Sequence, residues 1–183
     1  MILSDKDIKK QINDGKIIID PLFPNAIQPA SVDLHLGADF LVFKTANAVC
    51  IDPREKIDEL MEKHKIDDNK QFILHPGEFA LGMLYEIVGV PNNMVGRLEG
   101  KSSLGRIGLI IHATAGYLDP GNKLKMTLEL HNISSLPIKL YYKMPIAQMS
   151  FTPLSSMADN PYGESALGSK YYGAMKPQAS QYH

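Results

Sequence analysis

The spacing of apolar residues predicts two helices in the first third of the chain. Ile8 and Ile12 lie one helical turn apart, Ser4 precedes them as a candidate N-cap and Gly15 follows as a stop signal. A serine at this position satisfies free backbone N–H groups of the first turn, so the pattern predicts a short helix. Residues 52–64 begin with Asp-Pro and predict a second, amphipathic helix. Its apolar face comprises Ile57, Leu60, Met61 and His64.

Alternation with a period of two dominates the remaining chain. In SVDLHLG the apolar positions 32, 34 and 36 alternate with Asp33 and His35, which predicts a half-buried strand with His35 at the surface. Residues 40–43 are predicted to pair with this strand as a hairpin across Gly37. Further short strands are predicted at residues 72–74, 79–90 and 94–98. This spacing indicates an all-β fold, as a sandwich, jelly roll or distorted barrel.

The 183 residues fit one domain, and no internal repeat marks a boundary before residue 155. Residues 155–183 are rich in glycine, proline and tyrosine but poor in aliphatic residues, so they can build little core. Such a segment is either a frayed terminus or an arm that closes over a site. We therefore expect one β domain over residues 1–154, followed by a C-terminal arm over residues 155–183.

Composition excludes several classes of protein. The formal charge of −1 argues against a general nucleic-acid binder, which needs a concentrated excess of lysine and arginine. Cys50 is the single cysteine, which excludes an intrachain disulfide framework and a cysteine-rich zinc centre. The N-terminus lacks the layout of a signal peptide, and no apolar run approaches the ~20 residues that span a bilayer. We expect a soluble cytoplasmic protein with no membrane partner.

Candidate chemistry is concentrated in residues 96–132. The segment KSSLGRIG combines the hydroxyls of Ser102 and Ser103 with the charges of Lys101 and Arg106 at the start of a short helical turn, which suits a phosphate chain. It lacks the GxxxxGK[ST] pattern of a P-loop, so that mechanism does not apply. An ordinary capped turn with solvated basic residues would have the same composition.

Two acids follow this segment. In the predicted strand over residues 124–131, alternation places Glu129 on the polar face, where it is a surface acid unless that face lines a cleft. Partial burial in a cleft would allow it to shuttle protons. Asp119 lies in the turn signature AGYLDPG, where an aspartate also serves local hydrogen bonding.

Together these segments resemble the dCTP deaminases of the dUTPase superfamily. The resemblance covers nearly the whole chain and rests on MILSDKDIKK, SVDLHLG, FILHPGEFALG, GRLEGKSSLGRIGL, TAGYLDPG, TLELHN and PYGESALGSKYYG. It implies a distorted jelly-roll or barrel fold of the dUTPase-like type. It also implies a homotrimer with active sites between subunits, and a C-terminal arm that closes over the nucleotide.

The resemblance assigns roles to individual residues. Glu129 would be the acid/base that activates water for attack on C4 of cytosine, and Ser102 and Arg106 would orient that water and oppose the developing charge. Mg²⁺ would accompany the triphosphate, whereas the zinc-dependent deaminases need cysteines that this chain lacks. The implied nucleotide contacts are Lys101, Ser102, Ser103, Leu104, Gly105, Arg106, Ala115, Asp119, Thr127, Leu128, Glu129, Gln148, Tyr162 and Lys170.

The segment TAGYLD resembles the bifunctional members, in which an aspartate activates water at the α-phosphate. We therefore expect conversion of dCTP to dUMP, ammonia and pyrophosphate, with Asp119 serving the second step and dTTP as a further nucleotide that could inhibit. One alternative is a deaminase that stops at dUTP. Another is a non-catalytic, nucleotide-binding β oligomer, which is suggested by departures from the family pattern at Asn122, Leu124 and Ala174.

Overall fold

Short antiparallel strands form most of the protein. The structure, a computed structural model, describes residues 1–44, 49–114, 116–164 and 167–182. The helices are α1 (Asp5–Asn13) and α2 (Ser102–Gly105), and a 3₁₀ turn spans Asp58–Leu60. The strands are β1 (Ile18–Asp20), β2 (Ile27–Gln28), β3 (Ser31–His35), β4 (Asp39–Phe43), β5 (Met61–Lys65), β6 (Phe72–Leu74), β7 (Phe79–Met83), β8 (Ile87–Gly89), β9 (Met94–Gly100), β10 (Leu109–Ile110), β11 (Tyr117–Leu118), β12 (Lys123–Leu124), β13 (Thr127–Asn132), β14 (Ile138–Leu140) and β15 (Pro145–Pro153).

Two five-stranded sheets organise these strands. One has the order β11-β9-β15-β3-β2 and the other the order β10-β13-β7-β4-β5. A three-stranded sheet, β1-β8-β12, and the pair β14-β6 complete the arrangement. Neighbouring strands in these sheets run antiparallel. The predicted all-β fold with a few short helices is confirmed.

One apolar cluster joins the two large sheets. Leu128 and Leu130 of β13 are fully buried in it, together with Leu34 of β3 and Met149 of β15. Burying a leucine side chain contributes about 1.5–3 kcal/mol relative to leaving it exposed. The strand alternation that predicted the inward positions of Leu34, Leu128 and Leu130 therefore also identifies part of the stabilising core.

Helix α1 confirms the first prediction. The Ser4 hydroxyl accepts a hydrogen bond from the Asp7 backbone N–H at 3.4 Å. Ile8 is fully buried, so the helix covers the core with its apolar face. The backbone turns at Gly15, where φ is +69°, a left-handed conformation that glycine adopts without a steric penalty.

The predicted helix over residues 52–64 is wrong. This segment contains a 3₁₀ turn followed by β5, which pairs with β4 at the edge of its sheet. Ile57 and Met61 are buried against Leu41 and Ala179, so the apolar spacing reflects packing in a small second cluster. Pairing with β4 gives the backbone its hydrogen bonds, and most of β5 beyond Met61 is exposed, as is usual for an edge strand.

The predicted hairpin across Gly37 is also wrong. Strand β3 pairs with β2 and β15, whereas β4 pairs with β5 and β7 in the other large sheet. Gly37 lies where the chain passes between the sheets, and its N–H donates to the Met83 carbonyl at 2.8 Å. A Cβ at position 37 would lie 2.9 Å from Met83 Cγ, so close packing explains the glycine.

His35 is buried, which corrects the prediction of a surface residue. Its ring Nδ1 lies 2.5 Å from Glu86 Oε1, and its backbone N–H donates to Glu86 Oε2 at 2.9 Å. Phe23 stacks on the imidazole with a centroid separation of 4.1 Å. Burial raises the pKa of the Glu86 carboxyl, and the hydrogen bonds from His35 oppose that rise. His35 is buried because Glu86 and Phe23, which are distant in sequence, pack against its side chain.

We predict that Glu86→Ala lowers the free energy of unfolding by about 3 kcal/mol, because it leaves buried His35 groups without a partner. Chemical denaturation measures this change. The matched control is Glu62→Ala, which removes an exposed glutamate beside a surface histidine and should change stability by less than about 0.5 kcal/mol. A loss of under about 1 kcal/mol for Glu86→Ala would show that the pair contributes little.

Candidate active site

The basic segment lies at the junction of β9 and α2. Lys101 precedes the four-residue helix in an extended conformation, and Ser102 and Ser103 are exposed on its first turn. Leu104 packs against the core and anchors the turn, so its side chain points away from solvent. Arg106 follows the helix and is exposed at a groove formed with residues 107–108 and 133–139. Hydroxyls and a guanidinium are therefore presented on a turn that the core holds in place.

Lys101 differs from its neighbours because it is half-buried and paired. Its ammonium lies 2.7 Å from Asp33 Oδ1, with the two side chains 24% and 19% exposed. The contact is an ion pair without the alignment of a regular hydrogen bond. Asp33 is the cross-strand neighbour of Gln148, whose side-chain oxygen accepts from the Ser31 hydroxyl at 3.5 Å. Two of the predicted nucleotide contacts, Lys101 and Gln148, thus share one face of the sheet.

Glu129 lies on the half-buried face of β13. Its Oε2 accepts hydrogen bonds from the backbone N–H groups of Ala113 at 2.7 Å and Thr114 at 3.0 Å. Its own N–H donates to the Ile111 carbonyl at 2.9 Å, which ties the same loop to the strand. Hydrogen bonds to an ionised acceptor are stronger than neutral ones. The carboxylate is therefore held in one orientation. Its other oxygen, Oε1, accepts no hydrogen bond from the described residues.

The neighbours of Glu129 on β13 differ in what they can offer a ligand. Thr127 is half-buried on the same face as Glu129. Leu128 points the other way and is fully buried in the core. Of the predicted contacts on this strand, Leu128 can therefore reach a nucleotide only through its backbone.

Asp119 follows β11 at a tight turn. Its carbonyl accepts from the Asn122 N–H at 3.1 Å, and Gly121 has φ +83°. A Cβ at Gly121 would come within 2.8 Å of both Asn92 Oδ1 and Pro161 Cβ, so the turn requires glycine on two grounds. Partial burial raises the pKa of the Asp119 carboxyl. Asp119 therefore binds a proton more readily than an aspartate that is fully exposed to water.

The C-terminal segment contacts the Asp119 turn. The Tyr162 N–H donates to the Pro120 carbonyl at 2.8 Å, and the Tyr162 hydroxyl accepts from the Tyr171 N–H at 3.2 Å. Lys170, which precedes Tyr171 in the chain, is exposed, and its ammonium lies 5.5 Å from the ring centroid of Tyr182. The structure thus brings the Tyr162 backbone to the Asp119 turn, and the Tyr162 hydroxyl contacts the backbone of Tyr171, the residue after Lys170. The described part of the tail packs on the domain rather than extending from it.

In the part of the chain that the structure describes, no hydrogen bond or ion pair links Ser102 or Arg106 to Glu129. Ala115, a further predicted contact, lies outside the described residues. Sequence reasoning missed the amide donors at 113 and 114, which side-chain patterns do not reveal, and it missed Asp33. Only the polar position of Asp33 in the SVDLHLG alternation could have drawn attention to it.

Comparison with known proteins identifies the family. A family model described as dCTP deaminase-like matches residues 2–154. The chain belongs to the dCTP deaminase-like family. The resemblance seen in its motifs is therefore confirmed, and the matched residues include β9, α2, the Asp119 turn and β13.

Relatives with high identity share a more specific name. The chain is 50% identical to a protein of Dictyoglomus thermophilum, over 99% of this chain and 94% of that protein. It is 47% identical to a protein of Corynebacterium jeikeium and 46% identical to one of Rhodococcus opacus, in each case over 99% of this chain and 96% of the relative. All three are named dCTP deaminase, dUMP-forming.

A solved structure supports the fold. The 2'-deoxycytidine 5'-triphosphate deaminase from Agrobacterium tumefaciens superposes with a TM-score of 0.63 at 24% sequence identity. The match covers 82% of this chain but about half, 47%, of that longer chain. At this identity the likeness supports only the arrangement of strands, which agrees with the predicted all-β fold.

The three departures from the family pattern are buried. Asn122, Leu124 and Ala174 each expose less than a tenth of their surface. The Ala174 carbonyl accepts from the Lys125 N–H at 2.8 Å, and its methyl packs against the main core. Ala174 therefore ties the tail to the segment between β12 and β13, and the Asn122 and Leu124 side chains are packed rather than presented to solvent.

The described residues offer no metal centre of their own. Among residues 1–44, 49–114, 116–164 and 167–182, no group of three or more histidine, cysteine, aspartate or glutamate side chains is placed to hold an ion. Within these same residues, none of the helices has the length and apolar character needed to cross a bilayer.

Proposed function

We propose that the protein deaminates dCTP at C4 and then cleaves the triphosphate, releasing ammonia, dUMP and pyrophosphate. The observation that carries this proposal is the half-buried Glu129 carboxylate, oriented by the amides of Ala113 and Thr114. Relatives that are 46–50% identical over nearly the whole chain and named as dUMP-forming deaminases support it over a deaminase-only enzyme or a non-catalytic binder. We expect the reaction to take place in the cytoplasm.

Glu129 carries the deamination as a general acid and base. Its carboxylate accepts a proton from water as the oxygen attacks C4, which gives a tetrahedral centre bearing both the new hydroxyl and the amino group. The same carboxyl then donates a proton to the amino nitrogen, the C4–N bond breaks, and ammonia leaves. The proton of the new hydroxyl group passes to N3 of the ring, which completes the C4 carbonyl and the N3–H of uracil and leaves Glu129 as the carboxylate. Such proton transfer contributes about 10²–10⁴ in rate.

The basic turn binds the phosphates and assists this step. Lys101, Ser102 and Arg106 supply the ammonium, hydroxyl and guanidinium groups that suit a triphosphate, and Ser102 and Arg106 also orient the water. Mg²⁺ enters as part of the substrate, since this ion prefers phosphate and water oxygens. Further contacts come from Ser103, Leu104, Gly105, the backbone near Ala115, Thr127, Leu128, Gln148, Tyr162 and Lys170.

Asp119 carries the second step. Its carboxylate accepts a proton from a second water, whose oxygen attacks the α-phosphate, and pyrophosphate leaves as the bond between the α- and β-phosphates breaks. Because burial raises the Asp119 pKa, the base form is lost at a higher pH than for an exposed aspartate. Formation of dUMP should therefore decline as the pH falls through that raised pKa.

The site is completed between subunits of a homotrimer. Within the described residues no hydrogen bond or ion pair joins Ser102 or Arg106 to Glu129, and in this proposal α2 of a neighbouring subunit supplies these two side chains. Ile107, Ile133 and Leu136 are exposed around the groove beside Arg106. Apolar groups collected on a surface are typical of a protein interface. Residues 155–183 form the arm that closes over the nucleotide, and the hydrogen bond from the Tyr162 N–H to the Pro120 carbonyl brings the arm to the Asp119 turn.

We predict that Glu129→Gln reduces ammonia release by about 10²–10⁴, because the amide cannot accept the proton. The glutamine carbonyl can still accept from Ala113 and Thr114, so the thermal midpoint, dCTP binding and elution as a trimer should be unchanged. Ammonia release from dCTP is measured directly. Near wild-type turnover would mean that another residue is the acid/base, and elution of the wild type as a monomer would contradict the shared site.

We predict that Asp119→Asn accumulates dUTP from dCTP, because deamination continues while the base for the second step is missing. Nucleotide separation over a time course measures dUTP and dUMP, and ammonia release should stay within about tenfold of wild type. The control is Asp14→Asn, which alters an exposed aspartate at the end of α1 and should leave both products unchanged. Formation of dUMP at the wild-type rate in Asp119→Asn would contradict this role.

A further inference from the structure

The ion pair between Lys101 and Asp33 crosses the central strand of a sheet. Lys101 follows β9 and Asp33 lies in β3, and β15 runs between these two strands. Neighbouring strands are about 4.8 Å apart, so the contact bridges about 9–10 Å. The Lys101 and Asp33 side chains together cover this distance, and both are tied at their tips by the 2.7 Å contact. The ion pair therefore restricts the Lys101 side chain to a small set of conformations.

The pairing leaves Lys101 able to bind a ligand. An ammonium group has three N–H donors, and the Asp33 carboxylate oxygen at 2.7 Å engages at most one of them. The remaining donors can meet phosphate oxygens. The Asp33 Oδ1 atom is itself buried and accepts no aligned hydrogen bond from the described residues, so the Lys101 charge is what compensates it.

A second acid, Glu99, lies close to Lys101 in the sequence. Glu99 lies in β9, two positions before Lys101, and it is the cross-strand neighbour of Gln148, which is in turn the neighbour of Asp33. Glu99 is exposed and lies 4.0 Å from the Nε2 atom of His112. Without Asp33, the ammonium would turn toward Glu99 and solvent.

We propose that Asp33 is a positioning residue, which fixes the Lys101 ammonium at the start of the phosphate-binding turn. Asp33 does not touch the nucleotide and acts through Lys101. The inference deepens the proposed function and rests on it, because it takes Lys101 as a phosphate ligand. It gives the aspartate of SVDLHLG a task that neither the strand alternation nor the core explains, since Asp33 points away from the core.

The first test is Asp33→Asn, which keeps size and polarity but removes the charge. We expect the KM for dCTP to rise about tenfold with kcat within about twofold of wild type, because binding that is common to the ground and transition states is lost. The matched control is Asp39→Asn, a half-buried strand aspartate in the other large sheet, which should leave both constants unchanged. An unchanged KM in Asp33→Asn, or a lower one, would overturn the proposal.

A double-mutant cycle with Lys101→Met separates positioning from a general effect on the sheet. If Asp33 acts through Lys101, the Asp33→Asn/Lys101→Met variant should have the same KM as Lys101→Met alone. Effects on KM that multiply would show that Asp33 acts independently and would overturn the proposal. Asp33→Glu retains the carboxylate and should recover most of the affinity. Asp33→Ser carries the same test if Asp33→Asn does not fold.

Failure of the proposed function is distinguishable from failure of this inference. A wild type that releases neither ammonia nor dUMP would refute the proposed reaction. Calorimetric binding of dCTP with Mg²⁺ would then decide the inference. Binding about tenfold weaker in Asp33→Asn than in wild type supports positioning of Lys101, and equal binding overturns it.

Discussion

Strand β13 must serve the core with one face and the site with the other, and the rest of the structure depends on this constraint. Leu128 and Leu130 are fully buried, while Glu129 between them faces the loop at residues 111–114. A slip of one residue in the pairing with β7 would bury Glu129 and expose the leucines. The hydrophobic driving force that sets this register therefore also sets the position of the proposed acid/base.

The chain is nearly neutral, so an anionic substrate depends on a few cations that the fold places at the site. The net charge of −1 provides no general attraction for phosphate. The half-buried pair of Lys101 and Asp33 fixes one cation, and Arg106 is exposed beside an apolar groove. Backbone amides rather than side chains orient Glu129. Affinity and catalysis thus depend on placement of a few groups, and placement depends on the two large sheets.

The sequence was most informative where local pattern and environment agree. The cap at Ser4 and the alternation around Glu129 depend on neighbours in sequence, and both are confirmed, although β13 begins at Thr127 and not at the predicted residue 124. His35 and the segment that forms β5 were misread because Glu86, Phe23 and β4 reach them from distant parts of the chain. The donors to Glu129 could not be predicted, since any residue type supplies a backbone N–H. Family motifs indicated the chemistry, but geometry was needed to find Asp33.

The most direct test of the proposed reaction is its stoichiometry. Pure protein is mixed with dCTP and Mg²⁺, and ammonia, pyrophosphate, dUTP and dUMP are measured over time. Two hydrolytic steps in one enzyme predict that ammonia, pyrophosphate and dUMP appear in equal amounts without accumulation of dUTP. Accumulation of dUTP with no dUMP would contradict the second step, and the absence of ammonia would contradict the first.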